Sequence, residues 1–220
     1  MFLLATIIIL SYLVGSIPTS IIISKAARGI DIRNYGSGNA GGTNVMRVLG
    51  WKHGVLVIFL DALKGAIAVV LIARLHYGGL PFQNVSPFDD FTLVQIIAGI
   101  SAVIGHIWTV FAGFRGGKGI ATALGMLLMI ITVDMLIAVG IFLIVVSISR
   151  YVSLGSIVSA MAVPLSMIFR ENVLHTHIEG YNTLLPFVIG VSLLVIFTHR
   201  KNLVRLVNGT ENKLSFSKKK

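Results

Sequence analysis

Long apolar runs separated by short polar connections fill the chain from end to end. The runs are roughly Phe2–Ser24, Gly54–Leu75, Thr92–Phe111, Ile120–Ser149, Ser153–Phe169 and Thr183–Thr198. A helix crossing a bilayer needs about 20 apolar residues, so each run is long enough to be read as a span. Gly15 and Pro18 interrupt the first run, where proline removes a backbone donor and breaks helix geometry. The run Ile120–Ser149 is too long for one span and carries Asp134 near its middle. A carboxylate at the bilayer centre is costly, so the pattern predicts two helices turning at Asp134. The expected fold is therefore an all-α, polytopic integral membrane protein of seven transmembrane helices, or six if that run is unbroken.

The chain has 220 residues, 55% hydrophobic and 12% charged. Soluble domains carry about a quarter charged residues, and seven spans leave no room for one here. One membrane domain over residues 1–211, followed by a basic tail over 212–220, is the economical reading. No basic residue precedes the first run, whereas Lys25, Arg28 and Arg33 follow it. That order is opposite to a secretory signal and predicts an uncleaved first helix. There is no cysteine, which excludes disulfides, thiolate nucleophiles and cysteine-held metals. His175 and His177 read as solvated loop histidines, and no metal or cofactor is expected.

The net charge of +10 has a position as well as a size. With seven spans, fifteen of the eighteen Lys and Arg fall in loops on one side, among them Arg47, Lys52, Arg115, Lys118, Arg150 and Arg205. The positive-inside rule puts that side in the cytoplasm and the N-terminus outside. Contact with anionic phospholipid head groups explains much of the charge without nucleic acid or an obligate protein partner.

Three segments on the basic side carry candidate chemistry. The loop after the first span reads Ser37-Gly38-Asn39-Ala40-Gly41-Gly42-Thr43-Asn44, with Arg47 close behind. Small residues let backbone N–H groups converge on an anion, while the hydroxyls, the amide and the arginine add donors. The loop after the third span reads Arg115-Gly116-Gly117-Lys118-Gly119-Ile120-Ala121-Thr122 and opens the next helix. Its N-terminal N–H groups favour phosphate. It is not a Walker A sequence, which argues against a nucleotide hydrolase. The third segment runs from His199 through Asn202 and Arg205 to Glu211; His199 and Asn202 share a helical face. Ser153 returns to the same side and could add a hydroxyl. His106 reads as a packed helix-end histidine. Asp61 and Lys64, three apart within the second run, read as a mutually neutralising buried pair.

These segments in this order resemble the bacterial acyl-phosphate:glycerol-3-phosphate acyltransferases, the PlsY family. The first motif matches at Ser37–Asn44 with Arg47. The second matches from Gly105-His106 to Thr122, and the third from His199 to Leu206 with Gly209 and Glu211. Asp61-Ala62-Leu63-Lys64-Gly65 and Ser153-Leu154-Gly155-Ser156 also fit. At Ala40-Gly41-Gly42 the family often has a branched residue, glycine and alanine; all three positions remain small or apolar here. The resemblance covers about Leu10 to Glu211. It implies seven helices and transfer of an acyl chain from acyl phosphate to the 1-hydroxyl of sn-glycerol-3-phosphate, giving lysophosphatidic acid at the inner membrane. Ser37, Arg47, Lys118, His199 and Asn202 are then expected to converge on one pocket. Gly38, Asn39, Gly41, Gly42, Thr43, Asn44, Gly116, Gly117, Gly119, Thr122 and Ser153 are expected to line it, with Asp61, Lys64 and Glu211 as supports. Acyl phosphate is already activated, so proximity and charge stabilisation could suffice, with the donor's own phosphate or His199 taking the proton. The competing reading is a transporter or channel for a phosphorylated metabolite. It would favour two pseudo-symmetric halves and a midplane site, and the sequence shows no such repeat. A non-catalytic lipid scaffold would not need three motifs.

Overall fold

The computed structural model describes residues 2–76, 84 and 86–213. Among the described residues all regular structure is helical. The helices are α1 (Phe2–Gly15), α2 (Thr19–Arg28), α3 (Gly42–Leu49), α4 (Trp51–Ile67), α5 (Asp90–Ile107), α6 (Ile120–Ile130), α7 (Thr132–Ser149), α8 (Val152–Asn172), α9 (Tyr181–Thr198) and α10 (Arg200–Val207). A π turn over Ala68–Ile72 and a 3-10 turn over Ala73–Leu75 continue α4.

Among the described residues six segments are long and apolar enough to cross a bilayer: Leu3–Arg28, Trp51–Leu75, Asp90–Ala112, Thr132–Ser149, Val152–Asn172 and Tyr181–Thr198. The seventh expected span is α6. It is apolar but only 11 residues long, about 16 Å at 1.5 Å per residue, or half of a ~30 Å hydrocarbon core. The long apolar run does divide, but at Ile131 rather than Asp134. Asp134 lies in the first turn of α7, buried, where it accepts from Arg170 Nη1 at 2.6 Å and Ser166 Oγ at 2.9 Å. Two partners from α8 satisfy the carboxylate within the helix, so no turn is needed there. The basic tail falls mostly outside the described residues.

The chain forms two compact units. The first comprises Met1–Ser86 and Asp90–Ile130, the second Pro87–Asp89 and Ile131–Lys220. In the first, α1 packs on α5, and α4 packs on α6 and α3. Both long crossings are made by reciprocal glycines. A Cβ on Gly15 would fall 2.0 Å from Ala102 O, and one on Gly105 would fall 2.1 Å from Tyr12 O. Gly65 and Gly125 stand in the same relation to Thr122 O and Ala62 O, at 2.0 and 1.9 Å. Lipid tails are as apolar as leucine, so such close backbone approach supplies the packing that a hydrophobic drive cannot. In the second unit α8 packs between α7 and α9, and Ser192 Oγ on α9 donates to Ala160 O on α8 at 2.6 Å.

Candidate active site

The first motif is a loop pinned from within. Asn44, buried at the start of α3, donates through Nδ2 to Ile32 O and Tyr35 O and accepts Ser37 N–H at 2.9 Å. Its amide is committed to the loop, so the expected donation to an anion gives way to holding the turn in shape. Gly38 N–H and Gly41 N–H are likewise used internally, by Tyr35 O and Asn39 O. What the loop presents outward is Ser37, Thr43 and Arg47, all exposed. Thr43 and Arg47 lie one turn apart on α3, hence on one face.

The second motif is built differently from its sequence reading. Gly116 N–H donates to Ile107 O at 3.0 Å and Gly117 N–H to His106 O at 3.1 Å. These two donors close the turn back onto the end of α5 and are not free for an anion. The glycines are required by closeness. A Cβ on Gly117 would sit 2.3 Å from His106 Nε2 and 2.6 Å from Ala40 O of the first motif. Thr122 is fully buried where α6 meets Gly65 of α4, and its hydroxyl has no partner. It is a packing residue at that crossing, not a pocket donor. Lys118 is exposed at the mouth of the turn, two residues before α6 begins. Cationic side chain and helix N-terminus thus remain the anion-suited parts of this motif.

Directly beneath lies a buried polar cluster. Lys64 Nζ reaches Asp61 Oδ1 at 2.6 Å, Ile17 O at 2.5 Å and Thr19 Oγ1 at 3.2 Å. Thr19 Oγ1 donates to Asp61 Oδ1 at 2.5 Å, and His106 Nδ1 lies 3.4 Å from the same oxygen. The pairing of Asp61 with Lys64 is as the i, i+3 spacing predicts. Thr19 and His106 come from other helices, and only the family match at Gly105-His106 pointed to either. A cavity of about 10 Å³, roughly one water, is lined by Lys64, His106, Gly116 and Gly117.

The third motif belongs to the second unit and is organised by Glu211. Its Oε1 accepts from Ser153 Oγ at 2.8 Å and Asn202 Nδ2 at 2.8 Å; its Oε2 accepts from Arg205 Nε at 2.7 Å. Bonds from Asn202, Arg205 and Ser153, in that order of weight, pull the Glu211 carboxyl down to about 2. Ser153 and Asn202 are therefore oriented by the carboxylate. His199 sits between α9 and α10, with Nδ1 2.8 Å from Val195 O. Nδ1–H donates to that carbonyl, which leaves Nε2 as the bare nitrogen of the neutral ring.

The first and second motifs meet at one polar groove of about 410 Å³, lined by Asp31, Arg33, Asn34, Gly38, Arg115 and Gly116. The sequence reading counted Arg33 only as an orienting charge and gave Asp31 no role. Their short spacing was visible, but the partner across the groove was not.

Residues 5–209 match the family described as glycerol-3-phosphate acyltransferase. The chain is 47% identical to the glycerol-3-phosphate acyltransferase of Chlorobaculum tepidum, with 97% of each chain covered. It is 45% identical to that of Chlorobium chlorochromatii, with 98% of each covered. Among solved structures it is similar to PlsY (YgiH), an integral membrane glycerol 3-phosphate acyltransferase, in its glycerol 3-phosphate form. That match has a TM-score of 0.68 and 37% identity, covering 96% of both chains.

Proposed function

The chain belongs to the glycerol-3-phosphate acyltransferase family, and we propose that it acylates the 1-hydroxyl of sn-glycerol-3-phosphate from acyl phosphate, releasing lysophosphatidic acid and inorganic phosphate. The observation that carries this reading is the meeting of two cationic, glycine-rich motifs at one polar groove. A soluble phosphate and a lipid-borne phosphate need two anion-suited elements side by side. Ser37, Arg47 and Lys118 hold the phosphates, while His199 Nε2 and Asn202 orient the attacking hydroxyl.

The hydroxyl oxygen attacks the acyl carbonyl carbon, a carbon–oxygen bond forms, and the bond to the phosphate leaving group breaks. The proton passes to the departing phosphate or to His199 Nε2. Phosphate is a good leaving group, so alignment and charge stabilisation supply most of the acceleration. The basic loops face the cytoplasm, the N-terminus lies outside, and the membrane is the bacterial inner membrane. Purified protein given acyl phosphate and labelled glycerol-3-phosphate should form labelled lysophosphatidic acid and one phosphate per turnover. Equal rates with an acyl thioester would remove acyl phosphate as the donor.

A further inference from the structure

Arg33 bonds across the groove where the first two motifs meet. Its Nη1 donates to Ala112 O at 2.8 Å and to Arg115 O at 3.4 Å, both within the second motif. On its own side Asp31 grips it twice over. Nε lies 3.0 and 3.2 Å from the two carboxylate oxygens, and Nη2 lies 2.7 Å from Oδ2. Asp31 also accepts Arg33 N–H at 3.0 Å, capping the 3-10 turn Ile32–Asn34 that leads into the first motif. The guanidinium plane is thus fixed at both ends. Bonding to Arg33 holds the Asp31 carboxyl below the usual carboxylate range.

We propose that Arg33, locked by Asp31, is a positioning residue that sets the separation of the first and second motifs and so aligns the two substrates. The proposal rests on the reaction given above. Four features fit alignment better than direct binding. Most of the Arg33 hydrogen-bonding capacity is already spent on protein acceptors. Its charge is neutralised by Asp31. Only about a quarter of its side chain, 28%, is exposed. And a planar fork with several fixed donors suits a strut where a lysine point charge does not.

Misalignment by about 1 Å can cost on the order of a hundredfold in rate. Arg33→Ala should therefore lower kcat by about ten- to a hundredfold while both KM values stay within about twofold. Asp31→Asn, nearly isosteric and the safer variant for folding, should lower kcat severalfold in the same manner. Arg33→Ala combined with Asp31→Asn should be no worse than Arg33→Ala alone, because the two act as one unit. Arg33→Lys should recover little.

A second readout needs no activity. The chain lacks cysteine, so spin labels at Tyr35→Cys and Phe111→Cys, both exposed, report the distance between the segments. Arg33→Ala should broaden that distance distribution. Near-normal kcat together with an unchanged distribution overturns the proposal. A tenfold rise in one KM with kcat unchanged also overturns it, since Arg33 would then bind substrate directly. If Arg47→Ala and Lys118→Ala are also active, the site assignment fails instead, a result separable from the strut.

Discussion

Replacing Asp61 by asparagine isolates what the buried cluster does. Its carboxylate is 2.6 Å from Lys64 Nζ, and the two side chains are 2% and 5% exposed. Without the carboxylate charge, the ammonium keeps only neutral acceptors, Ile17 O and Thr19 Oγ1. Breaking a buried pair from one side costs about 3–5 kcal/mol. An asparagine oxygen can still accept from Lys64 and Thr19, which places this variant near the lower end. At roughly 2–4 °C per kcal/mol for a chain of this size, melting should fall by about 6–12 °C. Lys64→Met strands the carboxylate with Thr19 and His106 and should cost at least as much. The double variant carries no unpaired charge, so its loss should fall short of the sum by at least about 1 kcal/mol. The assay is thermal unfolding in a fixed detergent, with folded yield and turnover per folded molecule measured on the same preparations. Turnover of the folded fraction should remain within a few-fold of the parent. Wild-type melting and yield with collapsed turnover would refute the structural reading and move the cluster into the chemistry.

The remaining expectations are compact. Gly117→Ala must displace either the His106 ring or the Ala40 carbonyl; it should cost about 1–3 kcal/mol in stability and about a hundredfold in kcat/KM, whereas Gly140→Ala, with open space around it, should be neutral or stabilising in both. Losing a charge-assisted hydrogen bond costs about 1.5–3 kcal/mol, roughly ten- to a hundredfold in kcat/KM, so Arg47→Ala and Lys118→Ala should each fall that far. Arg47→Lys should fail almost as badly as Arg47→Ala because lysine lacks the two-pronged grip, while Lys118→Arg should retain more activity than Lys118→Ala. The bonded form of Glu211 is the carboxylate, with its folded value lowered to about 2; its contribution is full above about pH 4.3 and fades as pH falls toward 2. Glu211→Gln should melt lower at pH 7 and lose less on acidification, and a wild-type melting temperature at pH 7 would contradict this. Ser217→Cys should resist an impermeant thiol reagent applied to the periplasmic side of intact cells, and labelling there would reverse the proposed orientation.

Hydropathy alone located the spans because lipid solvates apolar side chains along the whole length of a helix. It misplaced the break at Asp134 because a charge in an apolar run looks like a boundary until its partner is known. That partner, Arg170, lies 36 positions away on another helix. The same blindness explains the motifs. Residue types at Ser37, Asn44, Gly116 and Gly117 signalled anion chemistry, yet which donors remain free depends on folding. Asn44 and the two glycine N–H groups turn inward, leaving Ser37, Thr43, Arg47 and Lys118 outward. Local spacing showed the Asp61–Lys64 pair, which lies on one helix. It could not show Thr19 and His106 joining it from two others, or Arg33 reaching Ala112.

The interruption between α1 and α2 also bears on how the protein is made. Ser16 O accepts from Thr109 Oγ1, just beyond α5, and Ile17 O accepts from Lys64 Nζ on α4. A first span released alone into lipid lacks both donors, at a depth where exposed backbone polar groups are costly. The second span, released alone, carries Asp61 and Lys64 with no help from Thr19. Each is a poor membrane segment by itself and a complement to the other. The pair therefore gains most by leaving the insertion machinery together as a helical hairpin, with the third span closing the remaining bond at Ser16 afterwards. A nascent chain halted between α4 and α5 would hold the lysine bond and lack the threonine one.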